Sequence, residues 1–309
     1  MSDKALFDNA SALCGAVFYM LPRPMRWCLI LFWAFPVLCV AQTYQALALR
    51  SADGTELKAW LINHEGLSID QRRPVIVALH GCRGLYAAKG SKDGQLNARH
   101  DGIAQLLISR GYSVLFLDSF STRGERGICG QKLSDRKIKQ SHRRDDVNGT
   151  LAWLATQDWV DANRIALLGW SHGGSAVLAS TDANHLGVSA RLVQPSIAIA
   201  FYPGCKAALS SDYRPTAPLL MLLGDLDDWT PAAPCLELAA RVQARALVYQ
   251  NSYHDFDNPV GQVRFIANVP NGVQPGKGVH AGRNPLTGPK AWQEVIDTLA
   301  SIWGRRSSN

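Results

Sequence analysis

The chain has no internal repeat, no low-complexity tract and no apolar run long enough to span a bilayer. Without a repeat, solenoids and propellers are excluded, because each stacks one unit at a fixed period. The apolar run from Trp27 to Ala41 holds about fifteen residues and contains Pro36, short of the roughly 20 that a spanning helix needs. Acidic residues are the scarcer charge, 25 against 32 basic ones, for a net charge of +7. No groove-reading motif or basic–aromatic interleaving accompanies that excess, which argues against a nucleic-acid partner. What remains is 309 residues, 47% of them hydrophobic, ample for one large core.

The first forty-one residues differ from the rest. Arg23 and Arg26 precede the apolar run, which ends in Cys39-Val40-Ala41. A basic segment, a short apolar stretch and a small-residue site together read as a secretory signal cleaved before Gln42. An uncleaved anchor is the alternative. Residues 1–24 form an extension in front of the signal, and the expectation is that translation starts at Met25. The folded domain is then 42–309, a periplasmic or secreted protein whose only membrane contact is the signal. Seven cysteines are present, and Cys14, Cys28 and Cys39 would leave with the signal. Cys82, Cys129, Cys205 and Cys235 remain, an even number that in an exported protein suggests disulfides. Four buried thiols in a cytosolic enzyme is the alternative.

Strands are expected at 44–50, 56–62, 75–80, 113–118, 165–170, 197–202, 219–224 and 247–250. Those from Val75 onward are apolar almost throughout, as strands covered on both faces must be. The first two alternate apolar with polar and flank Asp53-Gly54, so they read as an antiparallel hairpin. Helices are expected at 97–109, 144–156, 174–180, 233–244 and 289–303. A hairpin followed by strand–helix repeats is an α/β fold: a mostly parallel eight-stranded sheet with helices on both faces. Ligand sites in such sheets lie beyond the carboxyl ends of the strands.

One strand ends in chemistry. Ile165-Ala166-Leu167-Leu168 runs into Gly169-Trp170-Ser171-His172-Gly173 and on into a small-residue helix start. A Gly-x-Ser-x-Gly turn between a buried strand and a helix leaves a serine Oγ exposed on strained backbone, with a helix N-terminus behind it. An ordinary glycine turn is the alternative reading. A serine hydroxyl needs a histidine to take its proton and a carboxylate to orient that histidine. His254 follows the strand 247–250, and Asp225, Asp227 and Asp228 follow the strand 219–224. Asp227 is favoured because it lies far enough past its strand to turn back toward His254. Asp225 is the runner-up, and Asp228 is expected to cap a helix or face solvent. His280 could replace His254 but sits in a Gly/Pro-rich loop far beyond the last strand.

Leu79-His80-Gly81-Cys82-Arg83-Gly84-Leu85, Leu117-Asp118-Ser119-Phe120, Gly169–Gly174, Gly224 with Asp227, and His254-Asp255-Phe256 together resemble the dienelactone hydrolase family of α/β-hydrolases. The resemblance runs from about residue 55 to the C-terminus. It implies hydrolysis of a small-molecule ester or lactone through an acyl-enzyme, with no metal or organic cofactor. It also implies backbone N–H donors for the oxyanion at Cys82 and His172. One departure stands out: dienelactone hydrolases proper use cysteine as nucleophile, and position 171 is serine. That moves the expectation toward a serine-esterase branch. A peptidase resembling the prolyl oligopeptidase group shares the order Ser, Asp, His, but no propeller-like region precedes this domain. A non-catalytic binding protein on a hydrolase fold is the alternative of another class.

Sequential strands usually lie side by side, so Cys82 should pair with Cys129 and Cys205 with Cys235. Crossed pairings would pass over the Ser171 strand. The basic run Lys132–Arg144 reads as a solvated loop before a helix, with attraction of anionic substrates as the sharper alternative. The Gly/Pro/Asn-rich loop 257–287 is long for a compact domain, and two readings stand level: part of it walls the substrate cleft, or it is a plain surface connection.

Overall fold

Alternation along the central strands gives the sheet an apolar core on each face. Val75, Val77 and Leu79 point to one face of the sheet with Leu167, Ala200 and Met221, and Ile76 and Ala78 to the other with Leu168, Ile199 and Leu222. Because the central stretches of these strands are apolar at successive positions, both faces exclude water and each requires a layer of helices. The structure, a computed structural model, describes residues 42–64, 72–87 and 95–304. The expected signal and Met25 start fall outside those residues. No helix among them is long and apolar enough to cross a membrane.

The strands are β1 Gln42–Arg50, β2 Glu56–His64, β3 Arg73–Leu79, β4 Ser113–Asp118, β5 Val160–Trp170, β6 Ile197–Phe201, β7 Leu219–Gly224 and β8 Arg245–Tyr249. They form one sheet in the order β1-β2-β4-β3-β5-β6-β7-β8. β1 and β2 are antiparallel, as is the β2–β4 pair, and β4 onward is parallel. Helices α1 Ala98–Ile108, α2 Gln140–Leu154, α3 His172–Ser180, α4 Leu186–Ser189, α5 Lys206–Ser210, α6 Ala233–Val242 and α7 Thr287–Trp303 complete the fold, with a small hairpin of β9 Arg264–Ile266 and β10 Val279–Ala281. α2 and α3 cover the Val77 face, whereas α1 and α7 cover the Ile76 face.

Chain direction across the sheet switches at β3, which has β4 on one side and β5 on the other. The loops after β3 and β5 therefore diverge at a switch point, where open α/β sheets place their ligand crevices. Leu79 pairs with Gly169 and Trp170 with Phe201, so these strands end level with one another.

Two expectations need correction. α2 begins at Gln140, four residues ahead of the expected Arg144, so the basic run is helical at its end. Arg143 within that run is fully buried, not solvated. The stretch 257–287 is not a bare loop either, since it carries the β9–β10 hairpin.

Candidate active site

β5 delivers Ser171 in a conformation that L-residues rarely adopt, with φ 54° and ψ −116°. Such strain persists only where the surroundings over-determine it. Here the Ser171 amide donates to the Phe201 carbonyl (2.9 Å), and the Ser171 carbonyl accepts from the Ser175 amide (2.9 Å) in the first turn of α3. The glycines are forced by close approach. A Cβ on Gly173 would lie 1.9 Å from the Leu79 oxygen, and one on Gly169 would lie 2.3 Å from the Gly173 oxygen. α3 is thus pressed onto the end of β3, and Gly81 comes within van der Waals reach of Ser171 Cβ (3.7 Å from its own would-be Cβ).

Asp227 and His254 meet beyond the ends of β7 and β8. His254 Nδ1 lies 2.8 Å from Asp227 Oδ2, with both side chains buried. The other carboxylate oxygen accepts the amides of Trp229 and Thr230, each at 2.8 Å. The Thr230 hydroxyl lies 3.1 Å from both Asp227 Oδ2 and His254 Nδ1. The imidazole touches Tyr202 (ring centroids 4.4 Å) and Trp229 (4.8 Å). With Nδ1 directed at the carboxylate, Nε2 is the nitrogen left to exchange protons.

The remaining acids are occupied elsewhere. Asp225 accepts the Ser252 amide (3.0 Å) and so braces the turn ahead of His254. Asp228 caps no helix. It takes the amide and Nδ1 of His280, each at 2.8 Å, and fastens β10 to the loop after β7. His280 is therefore bound to a different carboxylate from His254.

Sequence reasoning missed the support beneath His254. Arg99, projecting from α1, bonds Asp255, Asp257 (2.6 Å) and the Tyr202 hydroxyl. Asp257 accepts from the Tyr202 hydroxyl (2.5 Å) and the Trp170 indole (2.9 Å). Burial opposes the charge on Arg99, but Asp257 and Tyr202 outweigh it and hold the guanidinium above its usual range. Burial likewise drives the Tyr202 hydroxyl well above its ordinary value, so it remains a proton donor. The two residues flanking Phe256 thus clamp the histidine loop from below. The acid-x-acid spacing after His254 was the sole local hint, since Arg99 lies 156 residues from Asp255.

The sequence model of the dienelactone hydrolase family matches residues 65–303. The chain belongs to the dienelactone hydrolase family. A Bradyrhizobium protein described as a probable 2-oxo-3-(5-oxofuran-2-ylidene)propanoate lactonase is 24% identical over 173 residues, 50% of this chain. The match spans 64% of that relative's length. Among solved structures, Thermogutta terrifontis esterase 2 phosphorylated by paraoxon superposes with TM-score 0.58 at 16% identity, covering 86% of this chain and 96% of its own. A dienelactone hydrolase-like promiscuous phosphotriesterase from metagenomic libraries gives 0.57 at 17%, covering 84% and 98%. Puromycin hydrolase gives 0.60 at 16%, covering 85% of this chain but 40% of its own. At these identities the superpositions establish a shared fold.

In this dienelactone hydrolase family member, Ser171 opens onto a cavity of about 710 Å³. Cys82 and His172 line it together with the serine, as do Trp229 and Thr230, which touch His254. Asn271 and Val273 from the long 257–287 segment form part of its wall. Asn271 joins that segment to the basic run, donating to the Gln131 carbonyl (2.8 Å) and accepting from the Leu133 amide (3.2 Å). Two disulfides frame the same end of the sheet, Cys82–Cys129 and Cys205–Cys235. The first anchors the loop after β3, where the Cys82 carbonyl also accepts the Ile128 amide (2.8 Å). Reducing both bridges is expected to lower Tm, with about 2–4 kcal/mol from each. Cys82→Ala/Cys129→Ala should expose the segment between them to limited proteolysis, and Cys205→Ala/Cys235→Ala should not. Thermal unfolding and peptide mapping check both outcomes.

Proposed function

We propose that the protein is an exported serine hydrolase that cleaves a carboxylic ester or lactone through an acyl-enzyme. The observation that carries this reading is Ser171, strained at the end of β5, sharing one cavity with the residues that hold His254 against Asp227. Ser171 Oγ attacks the acyl carbonyl while His254 Nε2 takes its proton. Asp227 holds the tautomer and stabilises the imidazolium that forms. The tetrahedral oxygen receives the amides of Cys82 and His172, at the mouth of β3 and the N-terminus of α3. Collapse breaks the bond to the alcohol, which leaves with the proton from His254. Water then adds to the acyl-enzyme by the same steps and frees the acid. The signal ahead of Gln42 would export the chain, and two disulfides suit an oxidising compartment.

Charge in the cavity bears on the substrate. Arg136, Lys139, Arg144 and Lys206 face it against Asp182. Apolar walls from Leu133, Leu178, Pro203 and Tyr213 favour an uncharged body. A panel of chromogenic esters of increasing acyl length, with and without a terminal carboxylate, tests the reading beside aminoacyl anilides. Esters should turn over, and a carboxylate-bearing ester should exceed its neutral counterpart at low salt, the gap closing as salt rises. Anilides hydrolysed faster than any ester would replace the esterase by a peptidase.

A further inference from the structure

Arg143 is the most heavily buried arginine or lysine among the described residues, with a fully inaccessible side chain in the first turn of α2. A buried guanidinium normally has a carboxylate to neutralise it, because an unpaired charge in the interior is costly. Arg143 has no such bond. Of the two acids on its own helix, Asp145 lies 3.7 Å from Arg144 and Asp146 is engaged bidentately by Arg123 (2.7 and 3.0 Å). Instead Arg143 lies over the Phe120 ring, 5.4 Å from its centroid, and its Nε and Nη2 have no hydrogen-bond partner among the described residues.

The one nitrogen that is engaged bridges two segments. Arg143 Nη1 donates to the His80 carbonyl (2.8 Å) and lies 3.0 Å from His172 Nδ1. His80 is two residues ahead of Cys82, and His172 directly follows Ser171. We propose that Arg143 is a positioning residue for the oxyanion hole, tying the β3 loop that carries the Cys82 amide to the residue that carries the His172 amide. This inference rests on the proposed roles of those two amides. Gly173 also packs against the Leu79 and His80 carbonyls, so α3 and the guanidinium both hold the same stretch of the β3 loop.

The electrostatics agree. Burial lowers the Arg143 pKa to about 10, with Asp146 and Asp118 acting against the shift, so the group is charged at neutral pH. Burial, reinforced by the Arg143 charge, holds His172 well below its usual value, so its ring is neutral and Nδ1 can accept. This cation, bonded to His172 itself and to the carbonyl two residues ahead of the Cys82 amide, favours the negative charge that develops on the acyl oxygen and favours the neutral ester far less.

Arg143→Met keeps the long stem and removes the charge and both bonds, and Arg143→Lys keeps the charge. Fluorophosphonate titration counts competent sites in each, so turnover can be given per site. For Arg143→Met, kcat per titrated site should fall about 10²-fold with KM nearly unchanged. Affinity for a trifluoromethyl ketone, which forms a tetrahedral oxyanion on Ser171, should fall by the same factor. Arg143→Lys should recover about tenfold of the loss. A merely structural arginine would reduce the number of titratable sites and leave each one at the parent rate, and that result overturns the proposal. If Arg143→Met yields no folded protein, Arg143→Lys decides: parent-like ketone affinity and kcat would overturn it. A parent enzyme that fluorophosphonate fails to label would instead sink the Ser171 reading.

Discussion

Ser171→Ala is expected to abolish fluorophosphonate labelling and to lower ester turnover by about 10³-fold or more, the scale on which loss of a nucleophile acts. β5 is buried along its last six residues and ends level with β6, so the Ser171 backbone has no freedom to relax. The two glycines that pack α3 against β3 admit no side chain. Alanine preserves that geometry and removes the oxygen proposed to form the acyl-enzyme. The fold should therefore survive, and an unchanged Tm beside lost turnover is the expected pair of results. Ser175 is the nearest competitor, one turn along α3, but its hydroxyl is engaged with the Ser171 and Gly204 carbonyls and accepts the Gly204 amide (2.8 Å). Labelling that persists in Ser171→Ala would move the nucleophile there.

What could be read from the sequence was what lies within a few residues of a strand end. Ser171, Asp227 and His254 each follow an apolar strand that announces itself by composition, and β4 and β7 end where their apolar runs end. Sequential packing of neighbouring strands also placed Cys82 beside Cys129 and Cys205 beside Cys235. Arg143 was hidden for the opposite reason. It stands in a run of basic residues whose local pattern is that of a solvated loop, and its burial is caused by Phe120, His80 and His172, which are distant in sequence. The Arg99 clamp was equally invisible, because an arginine on α1 and acids beyond β8 share no local signal. Asp228 looked like a capping residue by position, and only the fold of the 257–287 segment supplies His280 as its partner.

The loop after β7 offers the second large effect. Asp227→Asn should leave the fold intact and reduce kcat about 10³–10⁴-fold, because an amide facing Nδ1 favours the wrong imidazole tautomer. Asparagine can still accept the Trp229 and Thr230 amides through its oxygen, and doing so turns its NH₂ toward His254. The mutant thus orients the very donor that Nδ1–H cannot use. Asp225→Asn should cost far less, since that carboxylate accepts one backbone amide and an asparagine oxygen can replace it. Asp228→Asn should loosen β10 and the cavity wall while sparing the proton path, so its effect belongs in KM more than in kcat. Steady-state kinetics of the three variants on one ester, with Tm measured alongside, separate them. If Asp225→Asn were the crippled enzyme and Asp227→Asn near-normal, the acid would sit two residues earlier, and the 2.8 Å contact between Asp227 and His254 would have no catalytic role.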